Sequence, residues 1–447
     1  MIRGCGLTPS GPAGMRRLVV FLVLVVGLGW GCSGRERENP FDPLNDATRG
    51  APAAAWAVAG CRSVELRWDP LGLRDRTGFR VWREVENAPG APGSLLTLPA
   101  LDAGVTSFRD SAMANGVLAT YRLEFLFSGG AAAFAAPVSA RPGSGFPWVG
   151  DPCGWGLTLL TPDGRRILTT RAAGSTILDL TVDAGAHRLL AASVSFPSGI
   201  LVLPTDGVSP AETWSLDRPT CVSWSAEAGL LAVGSFYAQR IDWLDASGGV
   251  VEGAEVAGLL PEDVAMRNRG CTWLALADSS FSAGALLRFD LDAGSRDSVP
   301  VPLTRPVALA DDPEGGGCWL ADRSGALLYV RDDLSITRSA AGTLGEPTDV
   351  DSDGEGGCWV ADLEGGALVR FDRQARETAR ISGLPGVRGV TVDPTTRQLW
   401  VTLPDAGEIL LLRATGGSAD TLGLGRVPGC AHKVAGDWTG ACPATAR

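Results

Sequence analysis

The segments TVDAGAHRLLAASVSFPSGILVLPTDG (residues 181–207) and TVDPTTRQLWVTLPDAGEILLLRATGG (residues 391–417) share one pattern without a gap. Each runs from a Val-rich stretch through an Asp-containing turn to two further apolar stretches. Related segments start at Arg218, Leu260 and Arg305, so their starts lie 42 and 45 residues apart. Four short strands and their turns need about 40 to 45 residues. The spacing therefore predicts a β-propeller in which each repeat forms one blade.

The two ends of the repeat region predict how the ring closes. Residues 147–164 match only the later strands of a repeat, and VPGCAHKVAGD from Val427 matches only a first strand. Paired in one composite sheet, these two halves leave no open sheet edge. With six complete repeats between residues 174 and 417, the pattern predicts seven blades. Six blades followed by a C-terminal tail is the alternative.

Recurrent residues within the repeats indicate packing and turns. A Trp falls at one position of the predicted second strand, at Trp148, Trp273, Trp319, Trp359 and Trp400. An aromatic at one repeat position is typical of packing between blades, because its burial removes a large apolar area from water. Asp residues recur shortly after this Trp and in the hairpin before it, where carboxylates typically accept hydrogen bonds from backbone N–H groups. Over residues 146–447 these repeats resemble NHL-type propellers and lyase or lactonase propellers such as virginiamycin B lyase.

Residues 51–143 predict a separate antiparallel sandwich. Apolar and charged residues alternate in VELRWDP (64–70), GFRVWRE (78–84) and TYRLEF (120–125), and this period of two indicates half-buried strands. In order along the chain, these segments and the exit PVSARPG resemble a fibronectin type III domain, through Trp68 and Tyr121 above all. The resemblance implies a spacer or a binding module. The expected fold class is all-β, a fibronectin type III-like sandwich followed by a propeller.

The first residues predict an export signal over residues 1–31. Two Arg residues precede the uncharged run LVVFLVLVVGL (18–28), which is shorter than the about 20 apolar residues that a membrane-spanning helix needs. The Gly-Cys pair that follows resembles the lipid attachment site of bacterial lipoproteins. The resemblance implies a lipid on Cys32, a tether over residues 32–50 and, with Ser33 after the Cys, the outer membrane of the cell envelope. Secretion without a lipid is the alternative.

The charge balance narrows the range of partners. Without residues 1–31 the chain has 36 basic and 50 acidic residues, a net charge of −14. An acidic surface repels phosphate backbones, so a nucleic-acid partner is disfavoured. The expected partners are the membrane, through the lipid anchor, and an unidentified protein, glycan or small-molecule ligand.

The cysteines suggest one disulfide at the closure of the ring. Three cysteines share one repeat position in different blades, which disfavours pairing among them and suggests small buried apolar residues: Cys271, Cys318 and Cys358. Three others fall in the composite blade, where one disulfide could hold the two chain ends together: Cys153, Cys430 and Cys442. No cysteine or histidine cluster has the spacing of a zinc site.

Two sets of Asp residues are candidates for a metal or ligand site. Asp349, Asp351 and Asp353 match the first half of a calcium loop, in which alternate carboxylates surround the ion, but the position of its final Glu is Val360. The other set shares a repeat position near the start of the first strand: Asp179, Asp263 and Asp349. If that strand is innermost, these carboxylates approach the central channel and could hold a metal or a cationic ligand. Capping of the strand start is the alternative.

The positions of the two histidines disfavour catalysis of the lyase or lactonase type. The resembled lyases and lactonases need metal ligands and an acid or base, often His, near the channel. The two histidines of this chain, His187 in a hairpin and His432 on the closing strand, are not related by the repeat. We therefore expect a lipid-anchored envelope protein whose propeller has a non-catalytic binding or scaffold role without a cofactor, calcium being the one candidate. The alternative is a propeller enzyme of the lyase or lactonase type that acts on a small molecule or glycan.

Overall fold

The computed structural model describes residues 39–438, apart from residues 44, 46, 74, 86–93, 99, 144, 173, 197, 206–208, 341, 395, 416, 417, 428 and 437. The predicted lipid site Cys32 and the third closure cysteine Cys442 lie outside the described residues. Within them the secondary structure consists of β-strands and one 3-10 turn, Pro404–Ala406, so the predicted all-β fold is confirmed. No helix in this part of the chain is long and apolar enough to cross a membrane.

The N-terminal strands form two antiparallel sheets, one in the order β1-β2-β6 and one in the order β4-β3-β7-β8, with β5 on β3 and β9 on β7. Their bounds are β1 (Ala55–Gly60), β2 (Ser63–Trp68), β3 (Arg76–Val85), β4 (Ser94–Thr97), β5 (Leu101–Asp102), β6 (Ser107–Asp110), β7 (Ala119–Phe127), β8 (Ala132–Phe134) and β9 (Val138–Ala140).

The two N-terminal sheets share one apolar core. The ring of Trp68 on β2 lies 5.2 Å from that of Phe79 on β3, and Phe79 lies 5.1 Å from Phe125 on β7. Alternation of apolar and polar residues along these strands places the apolar set on the face that meets the other sheet. The Tyr121 hydroxyl of one sheet donates a hydrogen bond of 3.0 Å to Asp110 of the other.

The remaining strands form seven four-stranded antiparallel sheets, here called blades. Blades 1 to 6 each consist of four consecutive strands. Blade 1 contains β13 (Ile177–Asp183), β14 (Arg188–Ser193), β15 (Gly199–Pro204) and β16 (Glu212–Ser215); blade 2 contains β17 (Cys221–Ser225), β18 (Leu230–Ser235), β19 (Arg240–Leu244) and β20 (Val250–Glu255); blade 3 contains β21 (Leu259–Asn268), β22 (Cys271–Asp278), β23 (Gly284–Asp290) and β24 (Ser295–Ser298). Blade 4 contains β25 (Pro306–Asp312), β26 (Gly317–Asp322), β27 (Ala326–Arg331) and β28 (Ile336–Arg338); blade 5 contains β29 (Pro347–Ser352), β30 (Gly357–Asp362), β31 (Ala367–Asp372) and β32 (Glu377–Ser382); blade 6 contains β33 (Gly389–Val392), β34 (Leu399–Leu403), β35 (Glu408–Thr415) and β36 (Ser418–Arg426).

Blade 7 is composite, because its strands come from both ends of the repeat region. In the order from outer to inner edge it contains β12 (Ile167–Arg171), β11 (Gly156–Leu160), β10 (Pro147–Asp151) and β37 (Lys433–Gly436). The first strands of neighbouring blades contact one another in a closed cycle, from β13 through β17, β21, β25, β29 and β33 to β37 and back to β13. These seven strands therefore surround the central channel, and the first strand of each blade is the innermost one.

The recurrent Trp residues lie where the repeat predicts. All five are on the second strand of a blade, β10, β22, β26, β30 or β34, and each is at most 4% exposed: Trp148, Trp273, Trp319, Trp359 and Trp400. The three cysteines of the shared repeat position are also buried and unpaired: Cys271, Cys318 and Cys358. These side chains fill the space between adjacent blades, where close packing of large apolar groups stabilises the ring.

Three kinds of contact hold β37 in blade 7. It pairs with β10 in antiparallel register. A disulfide joins Cys153, in the turn after β10, to Cys430, which precedes β37, with 5.8 Å between the Cα atoms. The Asp151 carboxylate accepts the backbone N–H groups of both cysteines. The C-terminal strand is thereby fastened to residues 277 positions earlier in the chain.

Candidate functional site

The site is at the end of the channel where the innermost strands begin. Four of these strands carry a β-bulge there, and the extra residues are Leu178, Glu262, Val307 and Thr348. A bulge re-aims a side chain away from the regular alternation of the strand. All four extra residues line one cavity of about 240 Å³.

The residue after each bulge belongs to a second layer, one step deeper. Asp179, Asp263 and Asp349 lie in this layer, and each is at most 8% exposed. The sequence prediction placed these three at one repeat position near the channel, and the structure brings them there. Lys433 belongs to the same layer. It pairs with Gly150 on the second strand of blade 7, and Asp349 pairs with Ala361 at the equivalent position on the second strand of blade 5.

The three carboxylates connect neighbouring blades. One oxygen of each accepts a backbone N–H of the innermost strand of the next blade: Asp179 from Val222 at 2.8 Å, Asp263 from Leu309 at 2.7 Å and Asp349 from Val390 at 2.9 Å. An innermost strand is the edge of its own sheet, so the N–H groups that point away from that sheet need a hydrogen-bond acceptor from elsewhere. The alternative of a simple strand-start cap is therefore incomplete, since each bond crosses from one blade to another.

The second oxygens of the three carboxylates are also occupied. Asp179 and Asp263 accept the N–H of the residue that follows each of them, at 2.8 Å. The corresponding oxygen of Asp349 accepts from the Lys433 ammonium at 2.7 Å. The cationic group at this acidic layer is thus a side chain of the protein itself.

The Lys433 ammonium interacts electrostatically with all three carboxylates. Burial lowers the pKa of Lys433, but Asp349, Asp263 and Asp179 together outweigh this effect and hold its pKa well above the usual value. Burial raises the pKa of Asp263 to about 7, against the opposing effect of the Lys433 charge. Burial likewise raises the pKa of Asp179. A layer with one ammonium and three carboxylates is less costly when some of the acids are protonated.

The calcium candidate does not form a calcium loop. Asp349 and Asp351 lie within strand β29, and Asp353 follows it in the hairpin turn. Each carboxylate has a different partner: Asp349 binds Lys433, Asp351 accepts the N–H of Val392, and Asp353 pairs with Arg370. A calcium loop needs its carboxylates to converge on one point, whereas these three bind different partners along β29 and the turn that follows it.

The one cluster of possible metal-binding groups among the described residues is already bonded within the protein. It consists of Asp151, Cys153 and Cys430, whose donor atoms lie within 4.8 Å of one another. The two sulfur atoms form the closure disulfide, and only a thiolate is an effective metal ligand. This cluster therefore stabilises blade 7 and offers no thiolate to a metal ion.

The cavity above the acidic layer is lined by charged groups. Arg305 pairs with Glu262 at 3.2 Å, and Arg323 pairs with Glu346 at 2.5 Å. Lys433, with 29% of its side chain exposed, forms part of the wall while its ammonium binds Asp349. Burial raises the pKa of Glu262. Three cations of the lining thus each have an acidic partner.

Two further lining residues, Arg388 and His432, precede the innermost strands of blades 6 and 7. The backbone carbonyl of Arg388 accepts the Thr348 hydroxyl at 2.8 Å, but among the described residues no side chain or carbonyl pairs with its guanidinium. Burial lowers the pKa of His432, and the charges of Arg388 and Lys433 lower it further. His432 is therefore neutral at pH 7, beside a cation without a counter-ion.

The other sequence candidates lie away from this cavity. His187 is in the turn between β13 and β14, at the opposite end of the innermost strand from the cavity, with a φ of 52°. The Asp residues that recur after the Trp accept backbone N–H groups of nearby turns, as Asp322 does from Thr304, Arg305 and Ser324. Their predicted role in turns is confirmed.

Sequence reasoning missed Lys433 and Arg388. Lys433 is the only lysine of the chain, which is a visible signal, but a single residue cannot be recognised through a repeat. Its importance follows from the register of blade 7, which places it opposite the carboxylates of blades 1, 3 and 5. Arg388 is one of 38 arginines and has no distinguishing sequence context.

Fold and site together define a β-propeller protein with a charged cavity at one mouth of its channel. No protein-family model and no curated protein sequence matches this chain. A putative 6-phosphogluconolactonase from Bacteroides uniformis is similar in structure, with a TM-score of 0.51 and 11% identity over 66% of this chain and 99% of that chain. Regucalcin from Agrobacterium tumefaciens, described as a calcium-binding protein, matches 51% of this chain and 81% of its own with a TM-score of 0.40 and 17% identity. At 11% identity the similarity to the Bacteroides uniformis protein shows the propeller fold alone.

Proposed function

We propose that this chain is a lipid-anchored binding protein of the cell envelope whose propeller does not catalyse a reaction. A lipid on Cys32 anchors the chain, in the outer membrane, and the fibronectin-like sandwich separates the anchor from the propeller. The propeller offers the cavity at its channel mouth to a ligand. Secretion without a lipid is the alternative to the anchor, and it leaves the binding role unchanged.

One observation carries the non-catalytic role, namely that the channel carboxylates are already committed. Asp179, Asp263 and Asp349 each bridge to the next blade, and Lys433 supplies the positive charge that a metal ion would otherwise bring. A bound divalent ion needs several oxygen ligands directed at one point, and here each carboxylate oxygen is already oriented by a hydrogen bond from a protein donor. Removal of these donors would cost the contacts between blades.

The enzyme alternative has one observation in its favour. Glu262, whose pKa is raised, and His432, whose pKa is lowered, line the same cavity. Perturbed groups of this kind could exchange a proton with a substrate near neutral pH. A propeller enzyme that acts on a lactone or a glycan would use these two residues.

Metal analysis and a substrate panel distinguish the two functions. We expect the purified full chain to contain no stoichiometric divalent ion and to turn over none of a panel of lactones, unsaturated glycans and lyase substrates. Asp263→Asn preserves the acceptor for Leu309, and Asp245→Asn in an exposed turn is the matched control. Stoichiometric metal, together with turnover that Asp263→Asn or Glu262→Gln abolishes but Asp245→Asn does not, would establish the enzyme instead.

Palmitate labelling tests the anchor separately. In a bacterium that processes lipoproteins, the wild-type chain should incorporate labelled palmitate and partition into detergent. Cys32→Ala should lose both properties, whereas Cys5→Ala within the signal should keep them. A wild-type chain that is unlabelled and released into the medium would refute the anchor.

A further inference from the structure

We propose that the cavity at the channel mouth binds a small organic carboxylate, with Arg388 as the group that pairs with its charge. This inference rests on the proposed binding function and specifies its ligand class. It depends on the charges and the dimensions of the cavity.

One cation of the lining has no ion-pair partner among the described residues. Arg305, Arg323 and Lys433 have acidic partners, Glu262, Glu346 and Asp349 in that order. The guanidinium of Arg388 has none among the described residues. A guanidinium presents parallel N–H donors that match the two oxygens of a carboxylate. Arg388 is thus the lining cation that is open to an ion pair, and a carboxylate ligand supplies the partner.

The cavity disfavours a cationic ligand. Lys433 already binds Asp349 in the acidic layer, and a cationic ligand would be repelled by the charges of both Lys433 and Arg388, which act on His432 in the same lining. The neutral imidazole of His432 faces the same space and can donate or accept one hydrogen bond. It suits a neutral polar group of the ligand, such as a hydroxyl, next to the carboxylate.

The dimensions and the apolar residues favour a small organic acid over an inorganic ion. The cavity encloses about 240 Å³, and one water molecule occupies about 30 Å³ in the liquid. The space thus holds a molecule of roughly eight non-hydrogen atoms, more than phosphate alone would fill. Leu178, Val307 and Pro347 form an apolar part of the wall, which can contact a short hydrocarbon segment.

Titration calorimetry on the full chain tests the assignment. The probes are succinate and benzoate as carboxylates, inorganic phosphate, and the cation spermidine. We expect at least one carboxylate to bind in the millimolar range or tighter, with an affinity that falls as salt is added, and spermidine not to bind. Arg388→Met should raise the dissociation constant at least tenfold, and Arg388→Lys should have an intermediate effect.

Arg269→Met is the matched control, because Arg269 lies in the turn at the opposite end of β21 and pairs with Asp292 on the surface. Both Met variants remove one positive charge, so only a local effect separates them. Equal affinity in the two variants, phosphate binding without carboxylate binding, or no binding of any carboxylate would each overturn the proposal. Consumption of a bound probe would overturn the non-catalytic function instead, while the dependence of binding on Arg388 would persist.

Discussion

Replacement of Lys433 by Met removes the only cation of the acidic layer and keeps most of the apolar stem. The variant leaves Asp349 buried without an ion partner and withdraws a favourable charge from Asp263 and Asp179. Breaking a fully buried ion pair costs about 3–5 kcal/mol, whereas an exposed pair contributes at most about 1 kcal/mol. The Lys433 side chain is 29% exposed and that of Asp349 is 6% exposed. We therefore expect a loss of about 2–3 kcal/mol in the free energy of unfolding at pH 8.

Thermal unfolding of the full chain measures this loss. For a propeller of this size the expected loss corresponds to a decrease of roughly 5 °C in the unfolding temperature at pH 8. At about pH 5 the decrease should be smaller, because the acids without a counter-ion can take up protons. In an Asp349→Asn background, Lys433→Met should cost less than in the wild type, since the two residues act as a pair. An unfolding temperature equal to that of Arg269→Met at pH 8, or additive effects in the double variant, would refute the reasoning.

Three other outcomes follow from the structure. Burial raises the pKa of Asp263 from 3.8 to about 7, so the folded state binds a proton that the unfolded state releases; stability should fall as pH rises between these values, and Asp263→Asn should reduce that fall in denaturant titrations. Replacement of both Cys153 and Cys430 by Ser should cost about 3 kcal/mol, and reduction should lower the unfolding temperature of the wild type more than that of the double variant; equal shifts in the two would contradict a closed disulfide between Cys153 and Cys430. Deletion from Val427 onward should expose the edge of β10 and cause aggregation, and unchanged melting would show that the ring does not depend on β37.

The propeller could be predicted from the sequence because its information is repeated. Each blade supplies another copy of the strand pattern, so Trp273, Trp319 and Trp359 identify the second strand independently of one another. The composite blade was predictable for the same reason, since each chain end matches a different part of the repeat. The structure has seven four-stranded sheets, the larger of the two numbers that the repeats allowed.

The candidate site could be predicted only in part. The repeat placed Asp179, Asp263 and Asp349 near the channel, but it could not show that their oxygens bond to the next blade. That contact joins residues about 40 positions apart, as between Asp179 and Val222, and it depends on how the blades pack. The part played by Lys433 depends on closure of the ring, which brings it to Asp349 from 84 positions further along the chain.

The most direct test uses the fact that Lys433 is the only lysine in the sequence. A sample labelled with nitrogen-15 at the lysine Nζ gives a single ammonium resonance, whose shift can be followed as a function of pH. We expect that this group stays protonated at pH values well above its ordinary pKa of 10.5, and that Asp349→Asn moves the titration toward that value. A resonance that titrates at the ordinary lysine pKa and does not respond to Asp349→Asn would contradict the claim that Lys433 neutralises the channel carboxylates.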